Sequence, residues 1–310
     1  MIYAKASLTH EQIDVKLSIG CDGIEIQLLN ELLGNRNEHD WLNADSVFNL
    51  NEFKDYPIAV IHAPLLKGHG DVLLERISDP ADYKLLYEIF KIANYFGECQ
   101  NKVVGVVMHS ESYVEYLSDV GNSVDRIEKY LERILLDFPY TELYIENVSP
   151  LRGIGKGKAL HLANNFMFDN VELVELLRKD LHTERIGTVL DTCHQMLTEK
   201  YIGALYDLVG DIPKPDLSIS KYFEVNAPYM KLIHVCNMQG SGYGKGRHGV
   251  PFTKDTYNKL VTILQLHDKY VPSRPMTLEV EESDFLTSDG YRLTKSLIDK
   301  YYLYKGVTLK

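Results

Sequence analysis

Eight short β-rich runs organise the sequence, and each is followed by a stretch with the apolar spacing of a helix. Several runs, such as PIAVIHA and VVGVVMH, are continuously apolar. This pattern is typical of parallel strands covered on both faces, whereas the strands of an antiparallel sandwich alternate apolar and polar residues. The runs cover residues 2–7, 23–28, 58–62, 103–109, 142–147, 186–191, 231–236 and 276–281.

The segments between the runs are long enough for crossover helices. The clearest helical patterns cover residues 82–96, 123–138, 171–179 and 254–267. Eight strands alternating with helices favour an α/β fold, the (β/α)8 or TIM barrel, over an open doubly wound sheet. Because no linker divides the 310 residues, we predict a single TIM-barrel domain over residues 1–310.

Charge and hydropathy limit the possible partners. The chain has 33 Lys and Arg against 44 Asp and Glu, a formal charge of −11, which disfavours nucleic acid as a partner without excluding a local basic patch. No apolar run has the length of a signal peptide or a membrane span. We therefore expect a cytoplasmic protein with no membrane partner, and a homodimer as the commonest assembly.

The four cysteines give no motif. Cys21, Cys99, Cys193 and Cys236 lie far apart in the sequence, and no CxxC pair occurs. We therefore expect neither a thiolate zinc site nor a disulfide framework, and we interpret all four as buried thiols in a reducing compartment.

Six imidazoles and carboxylates stand at or near the ends of successive predicted strands. They are His62, His109, Glu146, Asp191, His234 and Glu279. Neighbours in this series are separated by 37 to 47 residues, about one strand and helix each. Because all strands of a parallel barrel end at one face, this spacing predicts a metal site at the C-terminal mouth.

Further donors lie beside this series. His194 in LDTCH and His248 in the glycine-rich loop 240–249 are additional candidate ligands. Glu281 shares the inward parity of Glu279 within a strand, so either could be the last ligand, and we prefer Glu279. Nitrogen and oxygen donors suit zinc, manganese or cobalt, and the several histidines disfavour magnesium. We expect one to three metal ions per chain.

The loop GSGYGKGRHG also predicts an anion site. Its glycines let backbone N–H groups approach an anion beside the cations of Lys245 and Arg247, as a phosphate or carboxylate on a small substrate requires. His194 and Asn237, which follow strand ends, are the other candidate substrate-binding residues.

The segments IHAPLL, YIEN, VLDTCH, HVCN and TLEV, in this order and with the strand-end His109, resemble the xylose isomerase-like TIM-barrel superfamily. That superfamily includes sugar isomerases and epimerases together with endonuclease IV-like proteins (AP endonuclease family 2). The resemblance to its mononuclear epimerases implies a metal site with two glutamates that also shuttle a substrate proton. The implied ligands are Glu146, Asp191, His234 and Glu279.

The resemblance to endonuclease IV implies three zinc sites instead. The first would use His62, His109 and Glu146. Glu146 would bridge to a second zinc on Asp191, His234 and Glu279, and His194 and His248 would serve the third. The third site normally reads Asp-x-His, whereas this chain has Gly246-Arg247-His248, so one carboxylate ligand is missing.

Two reactions therefore remain open. The first is isomerisation or epimerisation of a sugar or sugar phosphate, in which Glu146 and Glu279 transfer a proton at a metal-chelated substrate from opposed positions. The alternative is a zinc-dependent phosphodiesterase with an incomplete third site, supported by His62 and His109, for which a mononuclear isomerase has no necessary use as ligands. A non-catalytic binding module is disfavoured because the donors of two metal sites look intact. From the sequence we place the isomerase first.

Overall fold

The protein folds into a closed barrel of eight parallel strands surrounded by helices. The structure, a computed structural model, describes residues 1–33, 41–66, 70–71, 77, 80–109, 120–148, 151–152, 161–162, 167–209, 214–239 and 247–306. Each barrel strand pairs with the next along the chain, and the last pairs with the first. The predicted (β/α)8 fold is confirmed. The strands are β1 (Ile2–Ala6), β2 (Gly23–Gln27), β3 (Ile58–His62), β4 (Val104–His109), β5 (Thr141–Glu146), β6 (Ile186–Asp191), β7 (Met230–Val235) and β8 (Met276–Leu278).

Helices cover the outside of the barrel. They are α1 (His10–Ser18), α2 (Ala44–Val47), α3 (Pro80–Gln100), α4 (Val120–Asp137), α5 (Met167–Asp180), α6 (Thr192–Val209), α7 (Ile219–Asn226), α8 (Tyr257–Tyr270) and α9 (Asp289–Tyr304). The four predicted helices are present as α3, α4, α5 and α8, with shifted ends. None of the described helices combines the length and apolar character needed to span a bilayer.

Three short antiparallel strand pairs lie in connections that follow barrel strands. Leu65–Leu66 pairs with Gly70–Asp71, Leu151–Arg152 with His161–Leu162, and Asn237–Gln239 with Arg247–Val250. Because each pair follows the C-terminal end of a strand, all three belong to the face where TIM barrels carry their sites.

Strands β4 and β6 are buried on both faces, as expected for parallel strands covered by helices. In β4, every residue of VGVVMH is buried. Val106 packs in the main core between strands and helices, whereas Val107 packs inside the barrel. A side chain at position 105 would collide with the ring of Tyr144, so glycine leaves room for that ring in the interior.

An apolar layer inside the barrel supports the predicted donors. It consists of Val60, Val107, Val189 and Leu232. Because strand side chains alternate between faces, the residue two positions later points to the same interior. Those later residues are His62, His109, Asp191 and His234. The apolar layer thus closes the barrel directly beneath the polar groups.

The last strand is shorter than predicted. β8 ends at Leu278 rather than at residue 281. The backbone N–H of Glu279 still donates to Val235 O at 3.3 Å, but that of Glu281 donates to Gly249 O at 2.7 Å. The strand alternation predicted for Glu281 is therefore wrong, and Glu281 is exposed.

Candidate metal centre

The structure brings the six predicted strand-end donors together at the C-terminal mouth. His62, His109, Glu146 and Asp191 are the last residues of their strands, His234 precedes the last residue of β7, and Glu279 follows β8 directly. Their donor atoms form two groups, each with all atoms within 4.8 Å of one another. One group is His62, His109 and Glu146, and the other is Glu146, Asp191, His234 and Glu279.

Glu146 belongs to both groups, and its two oxygens face different partners. Oε2 lies 3.1 Å from His62 Nε2 and 3.3 Å from His109 Nε2. Oε1 lies 3.1 Å from His234 Nδ1. The carboxylate therefore stands between two sets of imidazoles, which is the arrangement of a carboxylate that bridges two cations.

Backbone carbonyls orient two of the imidazoles. His62 Nδ1 donates to Ala63 O at 2.8 Å, and His194 Nδ1 donates to Asn147 O at 2.8 Å. Such a bond fixes the tautomer and leaves Nε2 as the nitrogen that can bind a metal. In His62 this Nε2 is the atom that faces Glu146.

Asp191 is held by its neighbours on both sides. The side chain of Asn147 accepts a bond from Asp191 N at 2.7 Å and donates to Asp191 O at 3.1 Å. The Asp191 carboxylate in turn accepts a bond from His194 N at 2.6 Å, which caps the first turn of α6. The end of β6 is thereby fixed against β5, and Asp191 is completely buried.

Two charged residues that the sequence analysis did not select also enter the site. Lys5 Nζ lies 2.5 Å from Glu279 Oε1 and 3.5 Å from Glu25 Oε1. Glu25 Oε2 lies 3.1 Å from His234 Nε2. Each is the single charged residue of its strand, IYAKA or GIEIQ. An isolated charge in an otherwise apolar or uncharged strand is the sequence feature by which both residues could have been identified.

The carboxylates keep their charge in spite of burial. Burial alone would raise the pKa of Glu146, but the imidazole of His234 and hydrogen bonds from His109, His234 and His62 hold this pKa well below its usual value. For Glu279, burial is outweighed by Lys5 and His234, and the pKa again lies well below normal. For Glu25, burial is outweighed by His234 and Lys5, which lower the pKa to about 2. The site therefore presents ionised oxygen donors.

The histidines fall into two classes. Burial, followed by the nearby charge of Lys5, lowers the pKa of His62, and burial also lowers the pKa of His194. These two rings are neutral, as metal ligands must be. Burial would lower the pKa of His234 too, but Glu25, Glu146 and Glu279 raise it well above its usual value. In the metal-free protein His234 is thus an imidazolium that compensates the carboxylates.

The donor set fits a divalent cation. Among the described residues of the site, the four carboxylates of Glu25, Glu146, Asp191 and Glu279 lie near three cationic groups. These are Lys5, His234 and His248, and Asp191 and Glu279 raise the pKa of His248 to about 10 although burial opposes it. Glu279 Oε2 is buried and makes no hydrogen bond to a described residue, although His234 Nδ1 is 2.9 Å away. Buried carboxylates require charge compensation, and a metal that displaced the His234 proton would supply it.

The remaining predicted site residues lie around this centre. The ring centroid of His194 is 6.2 Å from that of His109 and 4.6 Å from that of His248. Asn237 is buried, and its Oδ1 has no hydrogen bond within the described part of the chain. The backbone of Arg247 pairs with Gln239. The Arg247 side chain and all of Lys245 lie outside the described residues, so the predicted anion site is untested.

The expectation that the cysteines are buried is wrong for two of the four. Cys99 is exposed and Cys21 only partly buried. Cys193 and Cys236 are both buried, and their sulfurs lie within 4.8 Å of each other and of a His248 nitrogen. The closed barrel brings the ends of β6 and β7 together, a proximity that the spacing of 43 residues in the sequence does not reveal.

No protein-family model and no curated protein sequence matches the chain. Solved structures do. D-allulose 3-epimerase from Methylomonas sp. is 12% identical with a TM-score of 0.59, covering 97% of each chain. The zinc-binding protein IOLI is 12% identical with a TM-score of 0.58, and 97% of this chain is covered. An AP endonuclease of family 2 from Brucella melitensis is 12% identical with a TM-score of 0.52, covering 98% of each chain. This likeness is one of fold, and it confirms the TIM barrel predicted from the sequence.

Proposed function

We propose that the chain is a divalent-metal-dependent enzyme with a two-metal centre that hydrolyses a phosphate ester. One observation carries this proposal, namely that the two oxygens of Glu146 face separate imidazole groups. His62 and His109 would hold one metal, and Asp191, His234 and Glu279 the other, with Glu146 shared. Zinc, manganese and cobalt suit these nitrogen and oxygen donors.

We therefore place hydrolysis before isomerisation, although the sequence alone favoured isomerisation. A mononuclear isomerase needs the group that contains His234 but gives His62 and His109 no task as ligands. Both rings are nevertheless buried, and both approach Glu146 Oε2 within 3.3 Å. A pair of divalent metals in such a centre generates a nucleophile from water at neutral pH and stabilises the charge on the leaving oxygen.

The chain's own residues would prepare the site for this chemistry. Glu146 fixes the separation of the two donor groups, and Glu25 holds the His234 ring from behind through Nε2. Lys5 binds Glu279 Oε1 and leaves Oε2 available. The net charge of −11 favours a small phosphate ester over a long duplex, whose many phosphates require many Lys and Arg contacts.

Epimerisation or isomerisation of a sugar or sugar phosphate is the second candidate, and a separate observation favours it. The carboxylates of Glu146 and Glu279 both approach His234 Nδ1, at 3.1 and 2.9 Å. Two ionised carboxylates beside one metal could remove and return a substrate proton. This reaction would need only the second donor group.

Assays on matched variants separate the two reactions. The metal-loaded protein would be tested against bis(p-nitrophenyl) phosphate, an oligonucleotide with an abasic site, and a panel of ketohexoses. We expect metal-dependent hydrolysis that is lost in both Glu146→Gln and His109→Gln and is kept in His10→Gln, an exposed histidine that is not among the donors of the site. Epimerisation that survives in His109→Gln but not in Glu146→Gln would overturn the proposal in favour of the isomerase.

A further inference from the structure

A cavity outside the barrel lies between helices α6, α7 and α8 and the short strand Asn237–Gln239. Its volume is about 420 Å³, which falls within the range of about 300–1,000 Å³ that is usual for small-molecule sites. None of the described residues that line it supplies a donor atom to the metal centre. The proposed hydrolysis therefore gives no task to this cavity, which we call the helix cavity.

Apolar side chains from all four elements contribute to the wall of the helix cavity. They are Met196 on α6, Ile219 on α7, Ile263 on α8 and Met238 on the short strand. Ile263 is buried, and the other three are half-buried. Methionine side chains are flexible and polarisable, so they adapt to ligands of different shapes. This part of the wall therefore suits the apolar body of a small molecule.

Positive charge exceeds negative charge at the same wall. Lys200 and Lys259 both line the helix cavity, whereas Glu199 is the one acidic residue among the described residues that line it. Lys259 is exposed and has no ion-pair partner in the described part of the chain. This local excess of cations is opposite to the net charge of −11 of the whole chain, and it favours an anionic ligand.

Gln195 adds a buried hydrogen-bond acceptor to the wall. Its Nε2 donates to Glu199 Oε2 at 2.9 Å and to Leu217 O at 2.8 Å, and these two acceptors fix the orientation of the amide. Its Oε1 is buried and accepts no hydrogen bond from the described residues. Because buried acceptors are normally paired, a ligand with a hydroxyl or N–H group would supply the missing donor.

We propose that the helix cavity binds a small apolar anion that carries a hydroxyl or N–H group. The apolar body of the ligand would contact Met196 and Met238, its negative charge would face Lys259, and its donor group would pair with Gln195 Oε1. Small hydroxylated or aromatic carboxylates belong to this chemical class. The inference does not depend on which reaction the metal centre performs, because the two sites share no described residue.

The dye 1-anilinonaphthalene-8-sulfonate tests this proposal, because it combines aromatic rings, an N–H group and a sulfonate, and it becomes fluorescent in an apolar site. We expect one saturable dye site per metal-loaded chain. Lys259→Glu should weaken dye binding by about fivefold, the scale of an exposed charge pair, whereas Lys254→Glu, at an exposed lysine that does not line the cavity, should leave it unchanged. Thr262→Trp, at an exposed position of the wall, should abolish dye binding, and Gln265→Trp, on the same helix but not in the wall, should preserve it.

Competition tests the charge of the ligand and keeps the inference separate from the proposed function. 3-Hydroxyoctanoate should displace the dye, whereas octylamine, which has a similar chain and the opposite charge, should not. Glu146→Gln should bind the dye as tightly as the wild type, even where every enzymatic activity is lost. Displacement by the amine as readily as by the hydroxy acid would overturn the proposal, and so would equal dye binding in Thr262→Trp and the wild type. A dye affinity that falls as the protein concentration rises would also overturn it, and would assign the cavity to a contact with a second copy of the chain.

Discussion

Strands β3 to β7 present different chemistry to the barrel mouth from strands β1 and β2, although all belong to one closed sheet. The former end in imidazoles and carboxylates, whereas the latter carry Lys5 and Glu25, which are paired in register. Glu279, after β8, lies between the two sides and touches both Lys5 and His234. In the proposed function the side of β3 to β7 would bind an external cation, while the side of β1 and β2 carries the ammonium group of Lys5.

Because their neighbours differ, the two buried glutamates Glu146 and Glu25 have different roles in the proposed centre. Within the described part of the chain, Glu146 approaches the imidazoles of His62, His109 and His234 at 3.1 to 3.3 Å, so in the proposed centre its charge would face the metals. Glu25 contacts both Lys5 and Nε2 of His234, so in the proposed centre it would orient His234. Burial is equal in the two cases, and the neighbouring side chains decide the role.

Glu146→Gln should have the largest effect, because it removes the donor that both groups share. We expect at least about a thousandfold loss of activity, comparable to removing a major charge-stabilising group from an active site, with an unchanged circular dichroism spectrum. Glu142→Gln, at the opposite end of the same strand, is the matched control and should retain metal affinity. Equal metal affinity in the two variants would contradict the bridging role of Glu146.

Glu25→Gln tests the side of the mouth that is not expected to bind metal directly. Loss of the carboxylate behind His234 Nε2 should weaken metal binding by about 10- to 100-fold, as for other groups that orient a metal-binding histidine. Competition with a chromophoric chelator measures this affinity. A loss as large as that of Glu146→Gln would make Glu25 a ligand and remove the distinction between the two sides.

Lys5→Met removes the ammonium group beside Glu279. We expect it to lower the stability of the metal-free protein and to increase the stabilisation that metal binding provides. Without metal, Glu279 and Glu25 lose a charged partner, and we expect the free energy of unfolding to fall by about 1.5 kcal/mol. With metal, the competing cation is gone, so the metal should raise the melting temperature more than it does in the wild type. Calorimetry of both forms checks this, and an equal loss of stability in each would show that Lys5 does not oppose the metal.

The pH dependence of the metal-free protein should be the smallest of these effects. The pKa of Glu25 is lowered from 4.5 to about 2, so its contribution to stability is present above pH 4.5 and is lost as the pH falls toward 2. Glu146 and Glu279 shift in the same direction. Between pH 5 and 3, the melting temperature should therefore fall less steeply in Glu25→Gln than in the wild type. An equally steep fall in both proteins would show that Glu25 does not contribute to this loss of stability.

The strand-end pattern was sufficient to predict the barrel and the meeting of six donors. Val107 and His109 show why, since a residue two positions after a buried interior valine points to the same interior. The pattern failed at the last strand, because Glu281 N bonds to Gly249 O instead of continuing along the barrel. The acceptor of that hydrogen bond, Gly249, lies in the connection that follows β7, so the sequence around Glu281 gives no indication of it.

Contacts between residues far apart in the sequence could not be predicted either. Lys5 and Glu279 are 274 residues apart, and a lysine in a first strand reveals no partner until β1 and β8 close the barrel. Cys193 and Cys236 likewise form no sequence motif and meet because β6 and β7 are neighbours. Donors at strand ends are thus predictable from spacing, whereas the charges that tune them depend on which strands become adjacent.

Anomalous scattering from metal-loaded crystals tests the central claim most directly, because it locates each ion without reference to activity. The shared position of Glu146 predicts two peaks on either side of its carboxylate, one against His62 and His109 and the other against Asp191, His234 and Glu279. A single peak at the second position, with His62 and His109 bonded only to Glu146 at saturating metal, would contradict the two-metal centre.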